Sequence, residues 1–301
     1  MKISNLINSI SLKISILLFD QRVPLSYIFF NKLYKILIIK KDINEEIYNF
    51  HYNGFEKLKI NINEGLIKFK NNLSILENDN GNNNYKINKR QYFKIDQNKK
   101  VEFKSFLEKS FASTINRLSS YYKSEVNIES INFFRINHED NSEMNNKEVY
   151  SNYFHQDAYL FTYIKIFVNL VDISETDGPL EIISINDRSK FIKKFKYKDR
   201  NNYKYIKDDI IYKNTGKAGD CFLFSSPQCF HKAGIPSKYR DILQVILVAS
   251  PKLSHKNSKS LQEKDLFEND KIISLTKPYS VYSTIKLFIE HLFYSIKYKY
   301  Y

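Results

Sequence analysis

Cysteine is nearly absent: Cys221 and Cys229 are the two in 301 residues. Two cannot staple a disulfide scaffold, and neither stands at metal-ligand spacing from a His or Cys partner. Both read as buried, unreactive thiols in a reducing compartment. Long apolar runs are lacking as well. The N-terminal stretch SISLKISILLF has the length of a signal-peptide core, yet Lys13 interrupts it, Asp20 and Arg22 follow it, and no small-residue cleavage site comes after. It predicts neither a secretory leader nor a spanning helix. Acidic residues are in deficit, 33 Asp and Glu against 47 Lys and Arg, for a formal net charge of +14. That excess favours contact with anions: nucleic acid, a phospholipid surface, or a phosphorylated, sulfated or carboxylated small molecule. A general drift toward Lys, Ile, Asn and Tyr would raise the charge equally well. No RNA-recognition, helix-turn-helix or zinc-finger pattern accompanies it, so no specific nucleic-acid partner is expected.

What is present is a chain of 43% hydrophobic residues, long enough to bury a substantial core. One main domain is expected over residues 46–255, after a helical extension at 1–45 broken by Pro24 and before a tail at 256–301. In the tail Ile285, Phe288, Ile289, Leu292, Phe293 and Ile296 share one helical face; docking onto the domain is the ordinary use of such a face, and contact with a membrane surface is the alternative. The patch NDNGNNN at 78–84 reads as a solvated loop. In NFHYNGFEKLKI, 49–60, Gly54 marks a turn before a short apolar alternation. Phe103, Leu107, Phe111, Ile115 and Leu118 recur near the helical period and predict one amphipathic helix over 101–122. Strand signals follow at 131–136, 163–173, 178–185, 219–226 and 240–250 with no helix between them, which predicts a mainly β, antiparallel sandwich or barrel with flanking helices. In YIKIFVNLV the residues Ile164, Ile166, Val168 and Leu170 form an aliphatic face, whereas Tyr163, Lys165, Phe167 and Asn169 form a mixed face able to line a wet cavity.

The stretch YSNYFHQDAY, 150–159, places His155 and Asp157 two apart among aromatics, so on a strand both side chains point the same way. A second H-x-D, His138 and Asp140, lies in a polar run and reads as a surface turn. His231 follows the apolar strand in GKAGDCFLFSSPQCFHKAGIPSKYR and precedes Arg240. Two His and one carboxylate on one side of an octahedral ferrous ion leave three positions open, the facial triad of non-haem iron oxygenases. An Arg fork is the natural partner of a cosubstrate carboxylate. Taken singly, His231 could equally be a satisfied strand-end histidine and Arg240 a surface cation beside Asp241.

FHQDAY, IKIFVNLVDI, SETDGPLEII and TGKAGDCFLF…FHKAGIPSKYR, in this order and with these gaps, resemble the phytanoyl-CoA dioxygenase family of Fe(II)/2-oxoglutarate-dependent oxygenases. The likeness covers roughly residues 46 to 251, with its specific part between 150 and 250. It implies a double-stranded β-helix, a jelly-roll, cupin-like barrel, with Fe(II) held by His155, Asp157 and His231 as the catalytic group. Arg240 falls where the family grips the far carboxylate of 2-oxoglutarate, and Phe167 falls near an aromatic beside the cosubstrate. Some members carry a hydroxyl two places after the second His, where this chain has Ala233; that cosubstrate hydrogen bond is then either absent or supplied from elsewhere, by Lys165 or Asn169. Asp157 argues against halogenation, because related halogenases replace this carboxylate with a small residue.

The resemblance implies a dioxygenase that uses O2 and 2-oxoglutarate to hydroxylate a C–H bond of a small molecule: a lipid, acyl thioester, glycan or secondary metabolite, neutral or anionic. The alternatives are a nucleic-acid or protein demethylase on the same barrel, and an inactive barrel serving as a binding or membrane-associated module. The span 188–217 carries eleven Lys and Arg against three Asp and is expected either to cover the barrel mouth for an anionic substrate or to be a solvated loop. The expected location is the cytoplasm, with a membrane periphery as the variant.

Overall fold

The computed structural model describes residues 45–70, 73–75, 91–138, 151–157, 162–195 and 209–250, with isolated positions in both termini. The expected N-terminal helices, the Asn-rich patch, most of the C-terminal helix and residues 196–208 of the basic span lie outside the described residues.

In chain order the elements are α1 (Glu45–Asn53), β1 (Phe55–Asn61), α2 (Asn63–Lys70), β2 (Leu73–Ile75), β3 (Gln91–Ile95), α3 (Lys100–Ser110), α4 (Ala112–Tyr122), β4 (Glu125–Asn137), β5 (Tyr163–Asn169), β6 (Leu180–Ile183), α5 (Arg188–Phe195), β7 (Ile211–Asn214), β8 (Asp220–Phe224), β9 (Phe230–Ala233) and β10 (Tyr239–Ser250). A seven-stranded sheet runs β1-β8-β5-β10-β4-β3-β2, and a three-stranded sheet runs β7-β6-β9, all pairs antiparallel. The chain alternates between them, from β4 to a bridge at His155, back to β5, across to β6 and β7, then β8, β9 and β10. This winding is a jelly roll, and the fold is mainly antiparallel sheet with flanking helices.

The alternation along β5 decides which face looks where. Ile164, Ile166 and Val168 join Leu243, Val245, Leu247, Ile131 and Phe133 in one cluster with Phe103, Leu107 and Phe111. The outer face of the large sheet is therefore covered by helices, and its aliphatic row is core. Phe222 and Phe224 of the large sheet instead meet Leu180 and Ile182 of the small one and Cys229 just before β9, so these line the interior, with Phe167 packed against them. The small sheet has its own cover: Phe191 and Ile192 of α5 lie on Phe154, Ile183 and Phe230. Leu33 and Leu292 also pack against the large core.

Three details depart from the sequence pattern. The expected single helix over 101–122 is two, because Phe111 between them takes φ −102, ψ 8 and ends α3 while opening α4. Phe111 is nonetheless fully buried, so the hydrophobic period continues through the break. A helix, α5, does stand between strands β6 and β7, held there by Phe191. The short strands β7 and β9 gave too few alternating residues to be read. Gly54 turns as expected, at φ +78, and a Cβ there would meet Cys229 Sγ and Ile185.

Phe103 is fully buried, edge-on to Phe69 and tilted on Phe133. Phe103→Ala should lower unfolding free energy by about 3–5 kcal/mol, read as a shifted urea midpoint at unchanged slope. Cys221 and Cys229 are both buried and in no disulfide, and burial pushes the Cys221 thiol up to about 12. A thiol reagent at pH 8 should label neither in the native protein and both after unfolding; native labelling of either would show the barrel wall open.

Candidate metal centre

His155 lies in a short extended piece that adds to the open edge of β9. His155 N–H donates to His231 O at 3.0 Å and His231 N–H to His155 O at 2.9 Å; Ala233 N–H reaches Ser151 O and Asp157 N–H reaches Ser226 O. A reciprocally bonded antiparallel pair puts its two side chains on one face, directly opposite each other. The imidazoles stand 4.4 Å apart, centre to centre, and His231 also meets the Phe224 ring. Asp157, two residues beyond His155, returns its carboxylate to the same face.

The result is a compact three-residue group. Asp157 Oδ1 lies 3.6 Å from His155 Nε2 and 3.8 Å from His231 Nε2, and one ligand atom from each residue falls within 4.8 Å of the others. Each ring has its Nδ1 at a backbone carbonyl two residues back, His155 at Tyr153 O (2.8 Å) and His231 at Cys229 O (3.1 Å). A carbonyl only accepts, so Nδ1 carries the proton and Nε2 is the basic nitrogen, turned to Asp157. That is the tautomer a metal needs, imposed by the backbone. The donor set of two imidazole nitrogens and one carboxylate oxygen, grouped on one side, fits a divalent first-row metal with open positions.

Lys165, on the mixed face of β5, places Nζ 2.5 Å from Asp157 Oδ2, with both side chains largely buried. Burial alone would push the Asp157 carboxyl up. The Lys165 ammonium, by its charge and its hydrogen bond and with the neighbouring His231 and His155 adding to it, outweighs burial and holds the group well below the usual carboxylate range.

The other sequence-derived residues lie on the same inner wall. Register pairs Gln244 with Phe167 and Ile242 with Asn169 across β10 and β5, and Arg240 lies two residues from Ile242 on that face. Phe167 packs edge-on to Phe224 and Phe134. Asn169 is 1% exposed, and its Oδ1 has no hydrogen-bond partner among the described residues. Arg240 is 2% exposed, not a surface cation, and donates from Nη1 to Gly178 O. Asp241 is instead gripped by Arg135 through two hydrogen bonds of 2.7 Å. Gly178 is required there: it sits at φ +62, and a Cβ would collide with the Ile235 backbone. His138 sits exposed at the end of β4 with Nδ1 at Pro236 O, apart from the triad; Asp140 lies outside the described residues.

The sequence matches no family model and no curated protein. Among solved structures the chain is similar to HygX from Streptomyces hygroscopicus with nickel and 2-oxoglutarate bound (TM-score 0.45, 11% identity, covering 70% of this chain and 88% of that one). It is also similar to the non-heme alpha ketoglutarate dependent epimerase SnoN from nogalamycin biosynthesis (0.42, 12%, 73% and 84%). A third is EctD from S. alaskensis with 2-oxoglutarate and 5-hydroxyectoine (0.41, 12%, 70% and 78%). Among the described residues no helix is long and apolar enough to cross a membrane.

The Asp157–Lys165 pair can be tested without any metal. Asp157→Ala leaves a buried ammonium uncompensated and should cost the apo protein about 3 kcal/mol or more, whereas Lys165→Met in that background should recover much of it; equal stability of the single and double variants would refute the pairing. Because the folded carboxyl titrates below its ordinary value of 3.8, this contribution is complete above that pH and is lost as pH falls through the folded value.

Proposed function

We propose that the chain is an Fe(II)/2-oxoglutarate-dependent dioxygenase that hydroxylates a C–H bond of a small molecule. The observation that carries this is the convergence of His155 Nε2, Asp157 Oδ1 and His231 Nε2 on the inner wall of a jelly roll, with both Nδ1 atoms tied to backbone carbonyls. The resemblance of FHQDAY and the FHKAGIPSKYR block to the phytanoyl-CoA dioxygenase family supports the same reading.

In this reading His155, Asp157 and His231 hold Fe(II), and Arg240 receives the far carboxylate of 2-oxoglutarate. The Arg240 guanidinium is buried on that wall, and its planar fork matches a carboxylate. Phe167 gives the cosubstrate an apolar wall. Asn169 supplies a polar contact from its buried amide, whose Oδ1 lacks a partner among the described residues. Iron with 2-oxoglutarate and O2 supplies the oxidising power that side chains lack. The protein fixes geometry through the two backbone-anchored imidazoles, keeps Asp157 ionised, and excludes water with Phe134, Phe167 and Phe224. His155 and His231 act here as ligands, not as proton carriers.

Anaerobic titration with Fe(II) and then 2-oxoglutarate should produce a visible metal-to-ligand charge-transfer band, and admission of O2 with the right metabolite should release succinate. His155→Ala and His231→Ala should abolish the band. Arg240→Gln should keep metal binding while weakening 2-oxoglutarate by about tenfold or more, the range for a lost hydrogen bond to a charged group. Metal bound by the wild type without any band on adding 2-oxoglutarate would reject the cosubstrate assignment.

A further inference from the structure

Lys165 has a role beyond completing an ion pair. Its Nζ bonds one oxygen of Asp157, while the other oxygen of that carboxylate faces the two imidazoles. An ammonium carries more hydrogen-bond donors than this one contact uses. Strand register places the side chain on the inner face of β5, opposite Phe224 of β8 and Ile246 of β10, and among the described residues Asp157 is the carboxylate it pairs with.

Charge balance says what is missing. On the inner wall, among the described residues, the largely buried ionic groups are Asp157, Lys165 and Arg240; Lys57 and Asp220, which register also turns inward, bind each other at 2.7 Å. Adding a divalent metal and a dianionic cosubstrate leaves one positive charge over, and that charge is the Lys165 ammonium. Without the lysine the same site would be neutral. An uncompensated charge in a largely buried, aromatic-lined interior is costly, so the group that completes the site carries negative charge.

We propose that Lys165 binds an anionic oxygen group of the substrate, a carboxylate or a phosphate, and so holds the carbon to be oxidised beside the metal position. This rests on the iron and 2-oxoglutarate reading and adds the substrate class to it. Lys165 keeps its bond to Asp157 in doing so, which leaves that carboxylate one oxygen for the metal.

The test uses the full chain, loaded anaerobically with Fe(II) and 2-oxoglutarate, so that the charge-transfer band reports the underlying reading by itself. The loaded protein is titrated with acetate, with inorganic phosphate, and with acetamide as the neutral counterpart of acetate. The expected result is a saturable shift of the band with acetate or phosphate, the better of the two naming the source, and none with acetamide. Lys165→Met should still form the band but bind the effective anion at least about tenfold more weakly, while Lys165→Arg should keep the response; Lys165→Gln serves if the methionine variant does not fold. Three outcomes overturn the proposal. Acetamide acts like acetate, the anion merely displaces 2-oxoglutarate, or the Lys165 variants respond as the wild type does. Loss of the band in variants that still bind Co(II) would also overturn it, by assigning Lys165 to the cosubstrate instead. Absence of the band in the wild type is the distinct signature of failure of the iron reading, which takes this proposal with it.

Discussion

Two backbone hydrogen bonds between His155 and His231 organise the site. They join a short extended piece to the free edge of β9 and bring together residues 76 positions apart, ring against ring, without asking anything of the side chains. Everything else at the centre is conditional on that bridge. Asp157 reaches the imidazoles because the chain beyond His155 stays extended and bonds Ser226, and His231 is in place because β9 is already paired with β6, where Ile182 stands opposite it. A side-chain cluster anchored in this way loses little freedom when an ion arrives, which is the physical meaning of a preorganised site.

The interior combines charge and apolar surface in a manner that a simple core would not tolerate. Phe134, Phe167, Phe222 and Phe224 line the space with apolar surface, and in the same space Arg240 is buried and Asp157 and Lys165 are largely buried. Each ion is answered by a defined partner: Asp157 by Lys165, and Arg240 by the Gly178 carbonyl. Low dielectric strengthens those contacts and equally raises the cost of leaving any of them incomplete. The helices lie outside this interior. They cover the outer face of the large sheet, and α5 covers that of the small one, so stability resides in layers that need not change when the interior binds something.

Much of this was legible from residues alone, for reasons that differ by element. The aliphatic row Ile164, Ile166, Val168 announced a core face because a strand alternates strictly, and the mixed row opposite it marked a cavity wall; the structure adds that the core lies outside the barrel, under the helices. His155 and Asp157 could be paired by period, and Arg240 could be distinguished from Asp241 only by its place in a family-like block. Phe111 misled, since its hydrophobic period is helical while its backbone is not. Lys165 was legible as a cavity-facing residue, but its bond to Asp157 was not, because nothing in a spacing of eight residues fixes where a flexible ammonium ends. Strands β7 and β9 escaped for want of length, their four residues each being held by neighbours rather than by propensity.

By itself, then, the order of residues determined the strand faces, the layered β architecture and the identities of the groups able to hold a metal, because hydrophobic period and donor chemistry are local properties. Only the tertiary structure decided that His231 faces His155 across a hydrogen-bonded pair, that both rings present Nε2, that Arg240 is buried against Gly178, and that Lys165 binds Asp157. Those are relations between residues distant in the chain, and their geometry is set by sheet register and backbone carbonyls that no single segment contains.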